Sequence, residues 1–422
     1  MFAAAAAARA GAGVCALERK DRVGRKLLAT GNGRCNITNT AAEAARYYGE
    51  DPGFAECALK RCPPARVIEI FGRMGLLCAE EYGGRVFPLC NQASAVLDVL
   101  RSELKRLNVA VLTDSDVISA RGLPPDSGAR SAFELRTADG RAFTCKKLIM
   151  AAGGRAAPSL GSNGSGFALL RSLGHTITKI TPALAQLRVG EPFFGQAGAA
   201  DSPGPRPPGQ NAFVRGLRGL KAYARVAAYA GGVFICGAEG DVLFADYGLS
   251  GAAVMDVSRA LHNRGDVALS IDFMPAYGEA ELNKALTRRR EALAHLTLED
   301  FLTGTVGKKL GQALIKAALG GAKLSAPVPS LTDGQIIQIV SAMKACNFAV
   351  LGHNGWENAQ VTAGGALTRE FDPRTMQSRV VKGLYAAGEI LDIFGDCGGY
   401  NLQWAWASGY AAGLSAAEAL KI

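Results

Sequence analysis

Apolar spacing changes along the chain, and the changes mark its elements. Phe2 to Arg9 is almost pure alanine, the strongest helix former. Gly11 and Gly13 break that helix, and Val14 to Leu17 reads as a short apolar strand ending on Glu18. Residues 63–77 and 92–107 carry helical spacing. Val67, Ile70, Phe71 and Met74 form one stripe, and Val96, Val99, Leu100, Leu104 and Leu107 form the other. Between them Gly83 to Pro88 predicts a turn and a short strand. Ala110 to Ile118 reads as a strand, Phe133 to Thr137 and Ala142 to Thr144 as a hairpin about Asp139-Gly140, and Lys147 to Ala152 as a buried strand running into Gly153-Gly154. Gly161 to Gly166 is a loop opening a helix, Phe167 to Leu173. It lacks the Lys-Ser or Lys-Thr ending of a P-loop.

The pattern changes at Pro182. Pro203 to Pro208 reads as a proline-rich surface loop. Strands are expected around Ala222 to Ala230, Gly232 to Cys236 and Val267 to Phe273. Glu279 to Leu319 is mainly helical, Gln335 to Met343 adds a helix, and Asn347 to Val361 returns as strands and turns. The expected organisation is therefore α/β: one domain from 1–182 and 359–422, an inserted β-rich domain from 183–275 and 344–358, and a helical subdomain at 276–343.

Composition narrows the function classes. The 422 residues suffice for two or three domains. Lys and Arg number 47 against 37 Asp and Glu, a net charge of +10. The basic residues are spread along the chain without interleaved aromatics, which speaks for an anionic cofactor or substrate and against a nucleic-acid partner. Arg288-Arg289-Arg290 and Lys308-Lys309 read as solvated helix faces. Ten cysteines without a Cys-x-x-Cys pair, and only four histidines, point to reduced thiols in a cytoplasm rather than disulfides or a metal centre. The alanine-rich start lacks the basic n-region of an export signal, and no segment reaches the roughly 18 apolar residues of a membrane span.

The chemistry concentrates in Gly24 to Asn39, Gly-Arg-Lys-Leu-Leu-Ala-Thr-Gly-Asn-Gly-Arg-Cys-Asn-Ile-Thr-Asn. Gly24, Gly31 and Gly33 let backbone approach a ligand, Arg25, Lys26 and Arg34 suit phosphate, and Asn36 and its neighbours offer hydrogen bonds without bulk. In a dinucleotide-binding unit the strand after the first helix ends on a carboxylate that takes the ribose hydroxyls. Glu18 has that position. The first strand and Gly-x-Gly-x-x-Gly turn that open such a unit do not precede Met1, and a start codon assigned too late is the expected cause. In-frame upstream DNA encoding both would support it.

This arrangement resembles the bacterial NAD(P)/FAD-dependent oxidoreductases described as BaiN-like flavoproteins, which include proteins called aminoacetone oxidases. Gly84-Arg85-Val86-Phe87-Pro88, Ala151-Ala152-Gly153-Gly154, Gly248-Leu249-Ser250-Gly251 and Gly398-Gly399-Tyr400-Asn401-Leu402-Gln403-Trp404 look like further blocks of that family, in its order. The resemblance implies a Rossmann-type FAD-binding domain, N-terminally truncated in this sequence, with the β-rich insertion above. It implies FAD bound by Glu18, Arg25, Lys26, Gly31, Gly33, Arg34, Cys35, Asn36, Val117, Ala152, Gly153, Gly154, Gly388, Glu389, Gly399, Tyr400, Asn401 and Leu402. Gly383 to Glu389 is expected as the strand that meets the ribityl and phosphate side. Leu402 to Leu414 is expected as the helix whose N-terminal amides face the flavin N1 and O2 edge. Hydride then passes between flavin N5 and a small organic substrate entering beside the inserted domain, in C=C reduction or amine oxidation. NAD(P)H is a possible donor, without a dedicated domain.

Two other functions compete: a flavin-dependent RNA-modifying or RNA-binding protein, from the net charge, and a truncated chain unable to hold FAD. No residue offers itself as catalytic acid or base. Cys35, beside Arg34, and Cys397, beside Asp396, read as packing residues rather than redox thiols, and His175 and His353 as structural. Trp404 and Trp406 read as core.

Overall fold

In the computed structural model, which describes residues 1–123, 132–194 and 211–421, the alanine run is a helix, Phe2–Arg9, packed on the C-terminal helix Tyr400–Glu418. Small residues make the contact close. A Cβ at Gly413 would collide with the Ala3 carbonyl, and Phe2 packs against Trp406 with ring centroids 5.2 Å apart and planes tilted by 48°. The two predicted amphipathic helices are Pro64–Arg73 and Ala93–Arg106, burying Val67, Ile70 and Phe71, and Val96, Leu100 and Leu104. The proline-rich stretch 203–208 lies outside the described residues.

The chain divides into two compact units, Met1–Pro182 with Ala359–Ile422, and Ala183–Asn358. In the first unit Cys15–Leu17 pairs in parallel with Ala110–Leu112, and Leu148–Met150 in parallel with Leu384–Ala386. Parallel neighbours need long crossovers, which the intervening helices and the whole second unit supply. Val117–Gly122, Phe133–Thr137 and Ala142–Cys145 form an antiparallel sheet, and Thr38–Asn39, Arg85–Pro88 and Cys78–Glu81 another. The apolar run expected as one strand from Ala110 to Ile118 is broken. Asp114 takes φ 50° and residues 114 and 115 turn back to donate to the Lys20 and Glu18 carbonyls, so the second half joins a different sheet.

In the second unit a closed barrel runs in the order Leu187–Phe193, Gly248–Ser250, Val233–Ala245, Lys221–Ala230, Val267–Asp272, Cys346–His353. Alternate residues Ala224, Val226 and Ala228 point to its core beside Leu269, Ile271 and Phe348. Closure removes the free strand edges. Helices Glu279–Ala292, Lys308–Ala318 and Asp333–Lys344 complete the unit, the last opened by a Thr332/Gln335 capping box. The arginine run there is not simply solvated: Arg289 donates to the Phe301 carbonyl at 2.5 Å, and Arg290 to the Leu331 carbonyl at 2.9 Å and Asp333 at 2.8 Å. These side chains satisfy carbonyls outside regular elements, at Phe301 and Leu331. Among the described residues no helix is long and apolar enough to cross a membrane.

Candidate functional site

The Gly24–Asn39 run folds as a short helix, Arg25–Ala29, a tight turn, Thr30–Gly33, and the strand Thr38–Asn39. Left-handed backbone at Gly31, Asn32, Gly33 and Cys35 reverses the chain, and the Cys35 amide closes the turn on the Thr30 carbonyl at 3.0 Å. Gly31 and Gly33 stay exposed, whereas Cys35, Asn36, Ile37, Thr38 and Asn39 are buried. Burial pushes the Cys35 thiol up to about 11, which leaves it protonated and unreactive at neutral pH.

Each of the three cations expected near phosphate holds a carboxylate. Arg25 pairs with Asp21 one helical turn back. Arg34 pairs with Glu81, donates to Asn91 at 2.8 Å and lies over the Phe87 ring at 4.1 Å. Lys26 pairs with Glu389 at 2.7 Å and reaches the Ala156 carbonyl at 3.3 Å.

That last pair ties three distant segments together. The second Glu389 oxygen accepts the Thr362 amide at 2.7 Å, and the Thr362 hydroxyl accepts the Arg155 and Ala156 amides at 2.8 and 3.2 Å. Gly154 fits against this knot because a Cβ would strike the Thr362 hydroxyl and lie 2.9 Å from Glu389 Oε1. Gly153, at φ 73°, faces Ser162, and Ala152 before it is exposed. Thr362 escaped sequence reasoning, since a lone threonine between glycine-rich blocks carries no signal. Glu18 and Val117 lie in a separate cluster. The Glu18 backbone bonds to Leu112 and Ser115, its carboxylate accepts the Lys20 amide at 2.9 Å, and half-buried Val117 starts the neighbouring strand.

The second assembly forms around the N-terminus of the Tyr400–Glu418 helix. Its first turns are anchored from inside: Trp404 donates to the Gly388 carbonyl at 3.1 Å, Ser408 accepts the Gly388 amide at 2.9 Å, Trp406 donates to the Ile37 carbonyl at 2.8 Å, and Gln403 links Thr38 to Cys62. Both tryptophans are core residues with their N–H groups spent. Asn401 turns back on Gly395 and Asp396, the Tyr400 carbonyl accepts from Tyr47 at 2.9 Å, and Leu402 packs on the core.

At the mouth of that helix Gly399 sits at φ 102°, where a Cβ would collide with the Thr38 carbonyl and approach Asn36 Oδ1 to 2.9 Å. Asn36 is 8% exposed, and its Oδ1 is buried with no hydrogen-bond partner. A helix N-terminus carries amides without intrahelical partners and partial positive charge. Unpaired acceptor and amide donors therefore lie side by side. Asn39 binds this edge to the hairpin, its Nδ2 donating to Gly83 at 3.0 Å and Gly398 at 2.9 Å. Asp392, between Glu389 and Gly399, is buried and pushed up by desolvation, which favours its protonated form.

Residues 1–415 match the HI0933-like protein Rossmann domain. The chain belongs to that family. It is 39% identical over 428 residues to the 3-dehydro-bile acid delta(4,6)-reductase of Clostridium scindens, covering 99% of this chain and 96% of that one. The ribosomal RNA dihydrouridine synthase of Haemophilus influenzae is 28% identical over 417 residues, covering 98% and 95%. Among solved structures, 3-ketosteroid delta1-dehydrogenase from Sterolibacterium denitrificans matches with a TM-score of 0.45 at 14% identity, covering 99% of this chain and 97% of that one.

Proposed function

We propose that this protein binds FAD and reduces a carbon–carbon double bond conjugated to a carbonyl. One observation carries the cofactor assignment. The orphaned Asn36 oxygen beside the helix N-terminus is an acceptor next to donors, the complement of an N–H next to C=O, which is the pyrimidine edge of a flavin. Glu18 is then the ribose ligand, and Gly153, Gly154 and Gly388 are close-approach backbone. Reduced flavin supplies hydride from N5. The chain's own work is orientation and charge: the Tyr400 helix N-terminus stabilises negative charge on the bound ring, and the Lys26–Glu389–Thr362 knot keeps the glycine loop in place.

The choice of reaction is supported by the two relatives. A bile acid with a 3-oxo group and double bonds at positions 4 and 6, and the uracil ring of a uridine, share a C=C bond conjugated to C=O. In such a conjugated system the carbon remote from the carbonyl is the electrophilic end that a hydride can attack. The identity of 39% favours a small cyclic enone, and amine oxidation has no comparable support. A second reading, uridine in RNA as the substrate, is favoured by the dihydrouridine synthase relative and the net charge of +10.

The test is anaerobic. The purified protein is loaded with FAD, reduced by NAD(P)H or dithionite, and mixed with a 3-oxo-Δ4 steroid or an RNA transcript. Reoxidation by the steroid supports the first reading, and reoxidation by RNA alone, lost at moderate salt, supports the second. No flavin bands after loading defeats both.

A further inference from the structure

Arg85 opens the strand Arg85–Pro88 at the tip of the hairpin whose other arm is Cys78–Glu81. In the hairpin register it faces Glu81, the acid expected to neutralise it. Glu81 is instead bound to Arg34, which is fixed in turn by Asn91 and the Phe87 ring. The neighbouring acid Glu80 accepts the Thr40 hydroxyl. Among the described residues, no hydrogen bond or ion pair reaches the Arg85 side chain, and the residue is exposed.

The free guanidinium nonetheless lies against the helix N-terminus. Its Nε lies 3.0 Å from where a Cβ of Gly398 would be, so Arg85 covers the Gly398–Gly399 turn. A single Asn39 amide nitrogen bonds both the hairpin tip and Gly398, locking the hairpin to the helix N-terminus. Beside it lie the unpartnered, buried Asn36 oxygen and the first amides of a 19-residue helix. An arginine without a carboxylate, a helix N-terminus and an orphaned acceptor thus converge, with Arg85 on the solvent side.

We propose that Arg85 is the catalytic electrophile of this site: it binds the carbonyl oxygen of a conjugated enone and takes up the charge that develops there. The inference rests on the enone reading above. When hydride adds to the β carbon, the C=C π pair moves toward the α carbon and the carbonyl oxygen becomes an enolate oxygen. A proton from water then goes to the α carbon; bound reduced flavin would supply the hydride and be oxidised by two electrons. A guanidinium beside that oxygen stabilises the enolate more than the neutral enone, so it speeds the step rather than merely binding substrate. Arg34, by occupying Glu81, is a positioning residue that keeps Arg85 unpaired.

The probe is 4-nitrophenol, whose phenolate mimics an enolate and whose visible band reports its charge. The FAD-loaded protein is titrated with it, as are Arg85→Gln and Arg85→Lys, with flavin absorbance and melting temperature confirming that each is loaded and folded. The unchanged protein is expected to bind the phenolate form and lower the pKa of the bound phenol. Arg85→Gln is expected to bind it about tenfold or more weakly and lose the pKa lowering, with Arg85→Lys between the two. In anaerobic enone reduction the Gln variant is expected to lose rate in kcat more than in KM. Equal phenolate binding by the unchanged protein and Arg85→Gln, or none by either, overturns the assignment. Loss of phenolate binding in Arg85→Gln with no turnover of any enone by the unchanged protein leaves an oxyanion site and overturns the enone reading instead.

Discussion

Two buried polar clusters in the first unit invite comparison, because one is closed and the other is open. In the closed one, His175 Nδ1 meets Glu370 at 2.9 Å, its Nε2 meets the Ser378 hydroxyl at 2.9 Å, and its ring stacks on Phe371 with centroids 4.6 Å apart. The residues are those of a Ser-His-acid triad. Ser378 Oγ, however, also accepts the Val380 and Val381 amides at 3.0 and 2.7 Å, so its lone pairs are occupied and none remains for attack. The cluster is a scaffold that pins the turn before the Leu384–Ala386 strand. In the open cluster Asn36 Oδ1 has no partner, Arg85 has no acid, and a helix N-terminus points at the same place. Residue type alone would rank the first as catalytic. Counting satisfied bonds reverses the ranking.

The sharpest way to break the open cluster is Gly399→Ala. The new Cβ meets the Thr38 carbonyl and takes a left-handed backbone, so about 2 to 3 kcal/mol of stability and FAD retention are expected to go together, read by melting and by the visible spectrum of the purified protein. In the closed cluster Ser378→Ala leaves two amides and a histidine nitrogen unpaired. A loss of about 2 kcal/mol is expected in denaturant melts, with FAD affinity unchanged.

Acid separates the clusters further. Burial lowers His175 below its ordinary 6.5, so the folded protein binds fewer protons than the unfolded chain. Its contribution is full above that value and shrinks as the pH falls below it toward the folded pKa. Melting temperature is therefore expected to fall as the pH drops below about 6.5. His175→Leu is expected to flatten that slope at the cost of a lower plateau. A slope unaltered by the substitution would assign the acid sensitivity elsewhere.

Much of this was legible in the sequence, for identifiable reasons. Helical stripes such as Val67, Ile70 and Phe71 follow from periodicity, and all three are buried. Gly31 and Gly33 of the Gly24 to Asn39 run take the left-handed backbone that glycine permits, while a ligand's approach to them is a proposal. The destinations of the cations were not legible. Arg25 and Lys26 are adjacent in sequence, yet one pairs four residues back and the other with Glu389, 363 residues away. Arg85 was visible only as part of a family block. Its isolation depends on Arg34 having already taken Glu81, a choice made in three dimensions. The His175 cluster is assembled from three segments whose spacing follows no motif.

We propose that the open cluster is open for a flavin. This is tested most directly by the FAD dissociation constant of Asn36→Ala, measured by flavin fluorescence alongside Ser378→Ala. Removing a buried oxygen that has no partner is expected to leave the melting temperature of the FAD-free protein unchanged or raised, while weakening FAD about tenfold. Ser378→Ala is expected to do the reverse, losing stability and keeping its FAD affinity. An Asn36→Ala protein that binds FAD as tightly as the unchanged chain would contradict the account.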